Sequence, residues 1–211
     1  MERKYKYIGF IMILFLPLIF AAFYQSYFEH FPVFSSRIHW FDHVHAIIAS
    51  SWILLLIIQP ILASRKKYQL HRKIGRLSYF IFPLLILSFI PREIRLIASD
   101  EPKNLFFPVA DTFVLIPLYL LAIYNKRNAA KHMRYMIASA LVFFGPAIGR
   151  IGPKLLGWSG LVTQNVQYTI IYAILIGLIL YDNLNLKKSQ PYLVAIALFF
   201  VHQMIFYFLF L

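Results

Sequence analysis

Cysteine is absent from the 211 residues, which excludes disulfides, iron–sulfur clusters and thiolate metal ligands but leaves the redox compartment open. Charge is also scarce. Only 14% of the residues are charged, against about a quarter in an ordinary soluble domain. Acids are the scarcer sign, with 8 Asp and Glu beside 21 Lys and Arg. No Gly/Ser-rich linker divides the chain, so residues 1–211 read as a single transmembrane helical domain.

Apolar residues take the place of charge. They make up 61% of the chain and gather into runs of about 20 residues, the length needed to cross a hydrocarbon core of about 30 Å. The pattern predicts an all-α, polytopic membrane bundle of about seven transmembrane helices, over 7–28, 43–63, 77–98, 108–124, 135–151, 166–181 and 192–211. The first run follows a basic head, Arg3, Lys4 and Lys6, and lacks a small-residue cleavage site, so it reads as a retained helix. Pro17, Pro60, Pro83, Pro91, Pro117 and Pro146 fall inside these runs and predict kinks.

Charge orients the bundle. With the N-terminus in the cytoplasm, the inner segments hold the basic head, Arg65 to Arg76, Lys126 to Arg134, and Lys187 with Lys188. Their acids are Glu2 and Asp182 alone. The outer side holds Arg37, Arg92, Arg95, Lys103, Arg150 and Lys154 against Glu29, Asp42, Glu93, Asp100, Glu101 and Asp111, which cancel. The whole net charge of +13 is therefore cytoplasmic, as the positive-inside rule requires, and the C-terminus is expected outside. This placement accounts for the basic balance without nucleic acid. The expected partners are the lipid bilayer and anionic phospholipid headgroups.

Two polar regions carry the candidate chemistry. The outer one starts at His39-Trp40-Phe41-Asp42-His43-Val44-His45, just before an apolar run. His39 and His43 are four apart, and Asp42 lies on the same side of a helix, so the three offer two imidazoles and a carboxylate to zinc or iron. The competing reading is a solvated helix start that Asp42 caps. His45, Arg92, Glu93, Arg95, Asp111, Arg150, Asn165 and His202 fall at or near the same level and are expected to line a charge-balanced polar cavity.

The inner region holds two similar helix starts, His71-Arg72-Lys73-Ile74-Gly75-Arg76 and Lys131-His132-Met133-Arg134. Two imidazoles facing across a bundle are what a bis-histidine haem b needs, and Arg72, Arg76 or Arg134 could pair with its propionates. Both histidines precede the apolar core, which counts against that reading. The rivals are headgroup contact with snorkelling arginines, or a basic site for a phosphate or acidic substrate.

Gln59, His71-Arg72 and Gly75-Arg76, followed by His132, Met136 and Arg150, resemble a family of small bacterial multi-pass membrane proteins without an assigned activity. Its pattern is an H-R-x-x-G-R loop before one helix and an H-x-x-x-M helix followed by an arginine. The likeness spans 42–150 and implies a helical core with polar sites at both ends. The expected protein is therefore a multi-pass component of the cell inner membrane with a histidine-rich polar cavity, haem b-binding or linked to a quinone or another membrane partner. Two alternatives stand beside it. One is a metal-dependent hydrolase that activates water at His39, Asp42 and His43, with His202 or Asp111. The other is a non-catalytic transporter or binding scaffold.

Overall fold

In a computed structural model the chain is described over residues 5–34, 38–99 and 102–211. Glu2, Arg3, Lys4, Arg37, Asp100 and Glu101, which entered the charge count, lie outside the described residues. Every regular element among the described residues is helical. Six stretches among them are long and apolar enough to cross a membrane: Trp40–Ser64, Tyr68–Ile97, Pro102–Tyr124, Ala129–Leu155, Gly160–Leu184 and Gln190–Phe210. The expected first span is different. It forms only a shorter apolar stretch, Ile8–Phe23. The chain groups into two compact units, Met1–Pro102 and Lys103–Leu211.

In the first unit, α1 (Ile8–Met12) and α2 (Phe15–Phe23) are separated at Ile13 and Leu14. Pro17 is the cause. It has no N–H to give the Ile13 carbonyl, which instead accepts from the Leu16 amide at 2.9 Å in a tighter turn. The long α3 (Trp40–Ser64) carries Trp52, Ile53, Leu55, Leu56, Ile57 and Leu62 into the core. Trp52 meets Phe82 with ring centres 5.2 Å apart. A Cβ on Gly9 of α1 would lie 2.6 Å from Ile61 Cγ1, so only glycine permits this approach to α3.

The end of α3 is closed by Lys66, whose φ of 58° lies in the left-handed region. The Lys66 amide donates to Ala63 O at 3.1 Å and the Lys67 amide to Leu62 O at 2.9 Å, the pairing of a Schellman cap. The chain then returns as α4 (Tyr68–Gly75), α5 (Ser78–Leu87) and α6 (Ile90–Ile97). Pro91 sits in the first turn of α6, where a missing N–H costs least.

The second unit contains α7 (Phe106–Tyr124), α8 (Ala129–Ala140), α9 (Phe144–Leu155), α10 (Gly160–Leu184) and α11 (Gln190–Phe210). A 3-10 turn at Leu141–Phe143 joins α8 to α9, next to Pro146. Side chains begin two of these helices: Asn128 Oδ1 accepts from the Lys131 amide at 3.1 Å and Ser159 Oγ from the Val162 amide at 3.3 Å. The end of α10 repeats the cap of α3, with Leu186 at φ 55° and the Lys187 amide on Asp182 O at 2.9 Å. The α10 helix extends well beyond the apolar run 166–181 because the more polar residues before it, Thr163, Gln164 and Asn165, are helical too. Gly152 allows α9 to press on α10, since a Cβ there would collide with Thr163 Oγ1. The exposed side chains include Phe80, Leu84, Phe113, Leu120, Phe200 and Phe208, the apolar surface a helix turns toward lipid.

Candidate functional site

The second unit gathers three titratable groups in a line, with His202 and Tyr168 buried and Asp111 partly buried. Asp111 stands in the second turn of α7, Tyr168 in the third turn of α10, and His202 past the middle of α11. Since α11 runs against α7 and α10, the three reach one level. Asp111 Oδ1 lies 3.5 Å from His202 Nε2, and the Tyr168 hydroxyl lies 2.8 Å from His202 Nδ1. His202 is 3% exposed and Tyr168 1%. Phe106 packs on the imidazole with centres 4.8 Å apart, inside an aromatic cluster that includes Phe206, Tyr172 and Tyr207.

Glycine makes room for the carboxylate. A Cβ on Gly145 of α9 would lie 2.9 Å from Asp111 Oδ2. A second polar chain runs between α10 and α11. Tyr172 donates to Gln203 Oε1 at 2.8 Å, the Gln203 amide meets the Tyr207 hydroxyl at 3.3 Å, and Tyr207 donates to Asn165 Oδ1. Gln164 and Gln167 are buried on α10, and their Oε1 atoms have no hydrogen-bond partner among the described residues. Arg150 donates to Pro146 O, one turn back on α9, at 2.8 Å.

The opposite end of this unit holds a closed ion pair. Arg134 Nε donates to Asp182 Oδ2 at 2.6 Å and Nη2 to Oδ1 at 2.8 Å, with both side chains at most 2% exposed. The expected propionate partner Arg134 is therefore committed to a carboxylate of its own unit, which joins α8 to α10. Nearby in sequence, His132 Nδ1 lies 2.9 Å from Ala122 O. The Ala122 carbonyl lies in the last turn of α7, where helical acceptors run out of amides.

The first unit splits the His39-to-His45 stretch into separate contacts. His39 precedes α3, and its amide donates to Asp42 Oδ2 at 2.9 Å. Its ring stacks on Phe41 at 5.3 Å. Asp42 Oδ1 accepts from Arg95 Nη2 at 2.7 Å, and the Arg95 guanidinium lies over Phe41 at 4.3 Å. His43 Nδ1 lies 2.6 Å from the Tyr27 hydroxyl and meets Phe34 edge-on. His45 Nδ1 lies 2.8 Å from Ser88 Oγ. Burial raises the Tyr27 hydroxyl above its usual pKa, and the nearby Asp42 charge adds to the shift.

Among the described residues no three His, Asp or Glu side chains are placed to hold a metal ion, and that includes His39, Asp42 and His43. The capping role weighed for Asp42 is what forms. Arg95 pairs with Asp42, while Asp111 meets a histidine. Arg92 and Glu93 stand on α6 beside Arg95, and Arg92 lies close enough to Asp42 and Arg95 to feel both charges.

At the α3–α4 turn, three residues of the H-R-x-x-G-R resemblance meet. With the Gln59 amide oriented by its partners, its nitrogen lies 2.7 Å from His71 Nδ1 and 3.0 Å from His71 O, and its oxygen accepts from the Gly75 amide at 3.1 Å. His71 Nδ1 also lies 3.2 Å from Gln59 O. Arg72 and Arg76 are exposed.

Sequence reasoning named Asp111 and His202 but missed Tyr168, one of 14 tyrosines. Its only signal was position, one helical turn after Gln164 on the same face. Together these features define a class, a polytopic helical membrane protein with ionisable groups buried in one of its units. No protein-family model, curated protein or solved structure matches the chain.

Proposed function

We propose that this is an inner-membrane protein that passes protons through the Asp111–His202–Tyr168 line, as the proton-handling part of a quinone-linked redox component. The observation that carries the reading is one buried imidazole placed between a phenol hydrogen-bonded to Nδ1 and a carboxylate 3.5 Å from Nε2, which has no hydrogen bond of its own among the described residues. An imidazole can accept a proton at one nitrogen while releasing one from the other. Ionisable groups at such depth are costly and are kept where they do work. The aromatic cluster around the line suits a flat, oxygen-bearing ring that needs stacking and a few hydrogen bonds.

In this reading the N-terminus is cytoplasmic and the C-terminus outside, so the line lies toward the outer face. Quinone extracted from the protein purified in mild detergent tests the proposal. The native chain should carry it, and His202→Gln and Tyr168→Phe should lose most of it while still folding. Equal retention in all three overturns the quinone link.

One observation favours haem b as a second reading. The His132 Nδ1 contact with Ala122 O fixes the tautomer that leaves Nε2 as the lone-pair nitrogen, the form an axial ligand needs. His71 Nδ1 meets both the Gln59 side-chain nitrogen, a donor, and the Gln59 carbonyl oxygen, an acceptor, so its surroundings set no one tautomer. A Soret band that His132→Ala abolishes would support haem. Its absence from protein expressed with ample haem would contradict it.

A further inference from the structure

The α3–α4 turn contains a feature that the proton line does not use. A shallow depression open to the surroundings lies there, lined by the exposed residues Lys66, Lys67, Arg72 and Lys73 together with Tyr68, Gln69 and Leu70. The segment 64–76 carries six cations and no acid, so no carboxylate of its own neutralises the depression. The backbone that carries the lining is held on both sides. The left-handed Lys66 and its two capping amides set the chain at the end of α3, and Gln59 ties down His71 and Gly75, which flank Arg72 and Lys73 in sequence.

Position narrows the ligand. The apolar span of α3 ends at Ser64, so the next residues fall where a bilayer keeps its phosphates. Tyr68 and Leu70 are exposed large side chains of the same lining, apolar surface that suits the start of an acyl chain. Lysine supplies point charges, and Arg72 supplies a planar fork that matches two oxygens of a phosphate.

We propose that this depression binds the phosphate of an anionic phospholipid headgroup as a specific site. The reading is independent of the proton line and stands or falls separately.

The test uses the full chain in nanodiscs of phosphatidylcholine with or without phosphatidylglycerol, with native mass spectrometry to count the retained anionic lipid. Lys67→Glu with Arg72→Glu should weaken phosphatidylglycerol retention on the order of tenfold or more. The milder pair Lys67→Gln with Arg72→Gln should give a smaller loss in the same direction and guards against misfolding. Lys187→Glu with Lys188→Glu, the same charge change elsewhere, should leave retention within about twofold. Equal losses from the two Glu pairs would mean diffuse surface charge and would overturn the site. Inorganic phosphate added to phosphatidylcholine discs should not raise the unfolding temperature as phosphatidylglycerol does. If it does, the depression is a free-anion site and the lipid assignment fails.

Discussion

The two units each contain an arginine–aspartate pair, and the two pairs are built for different ends. In the first unit Arg95 and Asp42 meet at 2.7 Å with 39% and 26% of their side chains exposed. In the second, Arg134 and Asp182 meet at 2.6 Å with 2% and 1% exposed. The half-exposed pair is screened by solvent, and Asp42 divides its carboxylate between Arg95 and a helix cap. The buried pair has almost no solvent, and beside the carboxylate Arg134 donates to Ala130 O at 3.0 Å. Water access therefore decides what a charge contributes, and of these two pairs the one in the second unit is the costly one to break. The Asp111–His202–Tyr168 line lies in that same unit.

The largest expected effect breaks the buried pair. Asp182→Ala leaves Arg134 without its carboxylate and should cost about 3–5 kcal/mol, read as a large drop in thermal unfolding temperature in detergent. Replacing both residues by leucine should recover most of that loss, because no lone charge remains. A double variant as unstable as the single one would assign the pair a role beyond mutual neutralisation.

Gly145→Ala comes next. Its new Cβ would lie 2.9 Å from Asp111 Oδ2, and the forced shift should cost about 1–3 kcal/mol. The same substitution should move the Asp111 carboxyl relative to His202, so an infrared carboxyl band should shift with it.

Asp42→Ala should do less. It removes an exposed ion pair of about 0–1 kcal/mol and a cap of about 1 kcal/mol. The ion-pair share should fade in high salt. A loss as large as that of Asp182→Ala would erase the contrast between the units.

The smallest effect concerns Tyr27, whose pKa is raised above the usual 10.0. A group raised in the folded state contributes stability that is present below its unfolded pKa and is lost as pH rises through the folded value. Unfolding monitored by tyrosinate absorbance should therefore show the first unit weakening above about pH 10, and less so in Tyr27→Phe.

The membrane class and most helices are legible in the sequence because bilayer thickness imposes run length directly. The first span is the exception. Pro17 interrupts it, and the apolar run alone does not reveal where the carbonyl left by a proline will find its partner. The site is legible in its residue types more than in its pairings. Asp111 and His202 stand out as ionisable groups in apolar runs, yet Arg134 and Asp182 are separated by 48 positions, and only packing brings them together. The opening histidine cluster shows the converse. Spacing placed His39, Asp42 and His43 on one side of a helix, but Tyr27 and Phe34, from an earlier segment, engage His43 instead.

Infrared difference spectroscopy across a pH step, on protein reconstituted in lipid, tests the proton line most directly. The account predicts a carboxyl band that Asp111→Asn removes, that His202→Gln shifts, and that Tyr168→Phe shifts by a smaller amount. A carboxyl band lost in Asp111→Asn but unmoved by either of the other two substitutions would show that the three groups do not share a proton, and would contradict the account.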